Sequence, residues 1–182
     1  CAGPRATWQM LHVLYVEEED AAMSRRLLHA LGLTRDPSAI QAALELLVTG
    51  VAQPPPGSAA RARPITPSHG VELAALLARD SRAAAAKPTK TLVMAPLVEA
   101  WSSSSSGRAP HLLDLVEAAA DQAVTTIKQW VALAKALLAA RPTTTPQEAD
   151  ARAAHFKRLL SRAWSRVEWG VVHATGLCKQ LA

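Results

Sequence analysis

Six histidines, fifteen carboxylates and two cysteines are the side chains of this chain that could move protons, hold a metal or attack a carbonyl. Their spacing decides which of these they do. His12, His29, His69, His111, His155 and His173 are scattered, and no two form a His-x-x-x-His pair. No phosphate loop and no nucleophile elbow occurs, each of which needs a fixed spacing of glycine, lysine or serine. Cys1 and Cys178 stand at opposite ends without a Cys-x-x-Cys, so neither a disulfide framework nor a zinc site is expected. That usage suits the cytosol or nucleus. The run Glu17 to Asp20 offers four adjacent carboxylates, best read as the charge complement of a helix start. Binding rather than catalysis is therefore expected, and the chain is read as non-enzymatic.

The elements that position these residues are helical. Aromatic residues are 4% of the 182, five of the seven being Trp, while Ala and Leu dominate. Both head the helix-propensity ranking, and strand formers are scarce. The length suits one domain. A formal charge of +5 comes from 20 basic against 15 acidic residues spread along the chain, which predicts solvated helix faces rather than a phosphate-binding surface. No run approaches the roughly 18 apolar residues of a membrane span. A chain opening on Cys in place of Met is expected to be a processed product or part of a longer protein.

Periodicity divides the chain. "TWQMLHVLY" sets Trp8, Leu11 and Tyr15 on one helical stripe with Thr7 as its cap. After the acidic joint, "AAMSRRLLHALG" predicts a second helix stopped at Gly32, and "DPSAIQAALELLVTG" a third, capped by Asp36 or Ser38 and stopped at Gly50. The proline-rich Ala52 to Gly70 predicts an exposed flexible loop, free of helix and central strand. A helix is expected over Val71 to Ala86, then a short extended piece, "TKTLVMA", between Pro88 and Pro96. Residues 102–110, with the serine run Ser102 to Ser106, are read as a second flexible, disordered loop. One long amphipathic helix is expected from His111 to Ala140, and a last one, capped by Thr145 with Pro146 in its first turn, broken at Gly176.

Small residues at Ala118, Ala119, Ala120 and Ala123 leave room beside the long helix, and Trp164 could wall the opposite side. A neighbouring helix or an apolar ligand could fill such a gap.

Three segments in order resemble the ligand-binding domain of nuclear receptors. "ADQAVTTIKQW", Ala120 to Trp130, is similar to that family's third helix, and "LLSRAWSRVEW", Leu159 to Trp169, to its fourth and fifth, with "HATGL" similar to the turn beyond. "MLHVLYVEEEDAAMSRRLLHALG" resembles the first helix, acidic joint and second helix of the steroidogenic-factor and fushi-tarazu-factor branch. The chain departs from the family pattern in several places: about ten extra residues, "RPTTTPQEAD", separate Trp130 from the Leu159-Leu160 pair, and the family's elements beyond the hairpin are not in this sequence. The stretch from Pro37 to Pro110 is longer, His155 and Phe156 replace an Asp-Gln pair, and Ala132 stands where a basic residue is usual.

The resemblance implies an all-α antiparallel helical sandwich of nuclear-receptor type, an incomplete one with long insertions, spanning 1–182 as a partial domain. It implies a lipid or steroid-like ligand lined by Val116, Ala119, Ala120, Ala123 and Trp164, and a coactivator groove with Lys128, Lys135 and Leu160. Further implications are coactivator or corepressor helices as partners, receptor dimerisation, nuclear location, and DNA contact through a zinc module outside this chain. No cofactor is expected in this segment, and no membrane. The competing expectation is an all-helical scaffold or interaction protein, viral or structural, without a small-molecule ligand. The isolated chain is expected to be molten or to aggregate.

Overall fold

The first helix, α1 (Pro4–Glu17), turns through residues 18–20 into α2 (Ala21–Gly32). Asp20 starts α2, its carboxylate accepting from the Met23 N–H at 2.7 Å. Thr7 lies inside α1 rather than at its start. A computed structural model describes residues 4–54, 61–83, 90–104, 109–139 and 146–181. Cys1, Pro88, Ser105, Ser106 and the Thr145 cap lie outside the described residues, as does the Cys178 side chain.

Helix α3 (Pro37–Thr49) is built as its sequence predicts. Asp36 caps it by accepting from the Ser38 and Ala39 N–H groups, both at 3.0 Å. Pro37 occupies the first turn, where its missing N–H costs nothing, and Gly50 ends the helix at φ +71°, a conformation that L side chains avoid.

Residues 61–70 correct the loop expected over 52–70, of which residues 55–60 lie outside the described residues. Val51–Ala52 (β1) pairs antiparallel with Arg63–Pro64 (β2), Ala52 opposite Arg63, and a helix already begins at Pro67. Ala52 and Ile65 are buried. Arg63 holds β2 in place: its Nη1 donates to the carbonyls of Tyr15 and Glu18, both at 2.6 Å, and its Nη2 to Ser24 Oγ at 3.0 Å. The guanidinium also lies 4.9 Å above the Tyr15 ring. One side chain thus satisfies carbonyls left over at the end of α1 and fastens β2 to the α1–α2 joint.

α4 (Pro67–Ala83) and α6 (Ala109–Ala123) form the centre, with α2, α3 and α5 (Lys90–Ser102) packed around them. At the α2–α4 crossing a Cβ on Gly32 would stand 2.7 Å from the Leu76 Cβ, so only glycine admits this approach. α5 replaces the extended piece expected between Pro88 and Pro96. Pro96 sits inside it, and Val93, Leu97 and Trp101, four residues apart, are all buried. Packing of that stripe outweighs the hydrogen bond that proline removes. Ser102 ends α5, and the Ser103 and Ser104 hydroxyls donate to carbonyls of its last turn, so the start of the serine run is ordered.

The long helix expected from His111 to Ala140 is two. α6 stops at Ala123, and α7 (Ile127–Ala139) starts after Val124–Thr126. α8 (Pro146–Leu181) is then a single helix running through Gly176, where a break was expected; its 36 residues span roughly 54 Å. The described chain is therefore all-α apart from one two-residue pairing. No described helix is long and apolar enough to cross a membrane.

Candidate docking surface around α7

The break before α7 is chemically specific. Gln129 turns its side chain back so that Oε1 accepts from the N–H of Thr125 at 2.7 Å and of Thr126 at 3.0 Å. Thr126 Oγ1 accepts from the Gln129 N–H at 3.4 Å, completing a reciprocal capping box in Thr126-x-x-Gln129. The helix start is therefore written inside the "ADQAVTTIKQW" stretch. Because α7 is freed from α6, it can turn back and pack against α8.

Around α7, residues three and four apart separate three faces. One meets α8: Trp130 Nε1 donates to the Leu160 carbonyl at 2.9 Å, and its ring lies edge-on to Trp164 with centroids 5.2 Å apart. A second faces α5 and borders a cavity of about 130 Å³, walled chiefly by Met94, Val98, Ala123, Val124, Leu133 and Ala136. The third is open to solvent. It carries Ile127, 51% exposed, Val131, 38% exposed, and the exposed Ala132, Lys128 and Lys135. Trp164, 39% exposed, extends this apolar surface onto α8.

α8 is held on its other flank by charge. Arg162 reaches Asp121 at 2.8 Å and Glu117 at 3.8 Å, and Arg166 pairs with the same Asp121. Its buried stripe is Leu159, Ala163 and Val167, with Phe156 edge-on to Trp101 at 4.8 Å.

The residues expected to line a ligand pocket are only partly brought together. Val116, Ala119 and Ala120 are sealed in the core that α6 makes with α4 and α5. Ala123 alone borders the cavity, and Trp164 lies on the far side of α7. The small residues of α6 accept neighbouring helices, the alternative left open by their size. Of the expected groove residues, Lys128 and Lys135 share the open face of α7, two turns apart, and neither has an ion-pair partner among the described residues. Leu160 is half-buried beneath Trp130. Ile127, expected on the inner apolar face of the one long helix with Ala123 and Trp130, is instead 51% exposed, and Val131 carries no expectation from the sequence. Their signal was the Thr126 capping box, which resets the helical phase of everything after it.

Charge is not evenly spread. α7 and α8 hold eight of the 20 Lys and Arg but three of the 15 Asp and Glu, so the formal +5 lies on these two helices while the rest of the chain balances. Among the described residues no group of three or more His, Cys, Asp or Glu could hold a metal. The described histidines sit on five different helices. No protein-family model, curated protein or solved structure matches this chain.

Proposed function

We propose that this chain is a helical interaction module whose open α7 face, with Trp164 of α8, receives an acidic amphipathic helix from a partner protein. The observation that carries this is the exposure of Ile127 and Val131 on one face of α7 with two lysines that have no acidic neighbour on that helix, and of Trp164 against Trp130 beside it. Apolar side chains supply affinity by leaving water, and the lysines select a partner whose acids flank its apolar stripe. The partner helix lies along α7, where residues 127, 131 and 135 recur every four positions.

The nuclear-receptor resemblance would make such a partner a coactivator or corepressor helix, and the role transcriptional and nuclear. A scaffold would use the same face for assembly. A cavity of about 130 Å³ falls below the roughly 300 Å³ at which pockets for drug-sized ligands begin, so a steroid-sized ligand is not part of the proposal.

Fluorescence polarisation with a labelled acidic, leucine-rich helical peptide tests this reading. Saturable binding is expected, weakened about tenfold or more by Lys128→Glu with Lys135→Glu and lost in Val131→Asp. Binding that ignores all three substitutions, or none with the native chain, would refute it.

A further inference from the structure

A second concave surface lies away from α7, between α1 and α3, and its chemistry is different. It is a half-open groove of about 480 Å³, closed at one end by the chain around β1. Trp8 and His12 of α1 form one wall, Ala42 and Leu46 of α3 the other, with Val13 and Val51 in the floor. The imidazole of His12 is stacked on the Trp8 indole, centroids 5.3 Å apart and planes 12° from parallel, so one ring face is covered. The half-buried His12 ring borders the groove.

Three polar side chains complete the lining: Gln9, Gln53 and Glu45. The amides are neutral, which leaves Glu45 as the groove's only charged group among the described residues. It is exposed, and its one hydrogen bond among the described residues is a long contact of 3.5 Å from Gln41 Nε2. The nearest cation along α1 is Arg5, which lies toward Asp36 at the start of α3. Burial holds the His12 pKa below its usual 6.5, so the imidazole adds no positive charge at neutral pH.

We propose that this groove binds a planar organic cation, an amidinium, guanidinium or aromatic ammonium group. Its ring lies on the His12–Trp8 stack and its charge faces Glu45. Size and composition match a small-molecule cleft, mostly apolar with few polar groups, and the single carboxylate sets the sign of the ligand. A neutral imidazole face accepts a flat cation at no cost in like-charge repulsion. The side chain of an arginine presented by a partner belongs to the same chemical class.

Benzamidine is the probe, with benzamide as its neutral counterpart, titrated calorimetrically into the intact chain at neutral pH. One-to-one saturable binding of benzamidine is expected, with benzamide roughly fivefold weaker or more and Glu45→Gln weakening benzamidine by a similar factor. Glu99→Gln on α5 is expected to bind like the native chain. Equal binding of the two probes, no effect of Glu45→Gln, or no saturation would overturn the proposal. Glu45 is exposed on the middle of α3, so Glu45→Gln folds, and an unchanged melting curve verifies it.

Discussion

The amino-terminal helices and the last two are assembled by different means. α1 to α4 are fastened by side chains that cap backbone: Asp20 and Asp36 at helix starts, Gly50 at a stop, and Arg63 across the α1–α2 joint. Trp8 adds a bond of 3.3 Å to the Leu31 carbonyl, and Gly32 permits a helix crossing too close for any other residue. α7 and α8 meet each other through a pair of Trp rings and meet the rest through the buried stripe of Leu133, Leu159, Ala163 and Val167, the Phe156–Trp101 contact and an ion-pair cluster. On α7 and α8, as on α1 with Met10 and Leu14, large apolar side chains stay in water. A rigid frame carrying a more loosely held, basic hairpin teaches where binding energy can be spent. Docking on α7 buries surface that the chain itself has left uncovered.

The contrast is sharpest for two arginines. Arg63→Ala removes the three hydrogen bonds of a half-buried cation, takes the side-chain donor from the Tyr15 carbonyl and leaves the Glu18 carbonyl only a long bond of 3.4 Å from Ser24 Oγ, and is expected to cost about 2–4 kcal/mol in urea denaturation. Arg162→Ala breaks ion pairs of a side chain that is 61% exposed, and is expected to cost less than about 1 kcal/mol, reduced further by salt. Equal losses would erase the distinction between frame and hairpin. Next in size, Gly32→Ala pushes a methyl group against Leu76 and is expected to lower stability by about 1–3 kcal/mol, seen as a lower Tm. Gln129→Ala removes the capping box of α7 and should cost about 1 kcal/mol, with faster amide exchange over residues 125–130 and none of that change in α1 to α4.

The smallest expected effect is on pH. Burial lowers the folded-state pKa of His12 below 6.5, and its Nε2 has no hydrogen-bond partner among the described residues. The unfolded chain therefore takes up a proton first. The stability this residue contributes is complete above about pH 6.5 and is lost as pH falls through the lower folded value. Replacing His12 by Phe should flatten that part of the stability curve, as measured by urea midpoints between pH 7 and 5.

Much of the frame is legible in the sequence because its signals are local. Asp36, Pro37 and Gly50 mark α3 within fifteen residues, and both ends are found where they predict. The acidic run before α2 likewise supplies Asp20 as a cap. Signals that act at a distance are not legible. Arg63 fastens β2 through contacts 39 to 48 residues away, and Pro96 is carried inside α5 by the burial of its neighbours. The break at Thr126 was local and readable, but a continuous apolar period through Ala123, Ile127 and Trp130 concealed it. That shift of phase also separates the expected pocket residues of α6, which stay in the core, from the expected groove residues Lys128 and Lys135, which come to the open face. The α1–α3 groove depends on three segments meeting, which no single stretch of sequence records.

Hydrogen exchange of the intact chain, with and without a saturating acidic amphipathic helical peptide, tests the central claim most directly. The expected result is slow exchange in α1 to α4 that the peptide leaves unchanged, and new protection confined to α7 and the α8 residues around Trp164. Protection appearing on α1 to α4 instead, or none anywhere at saturation, would contradict it.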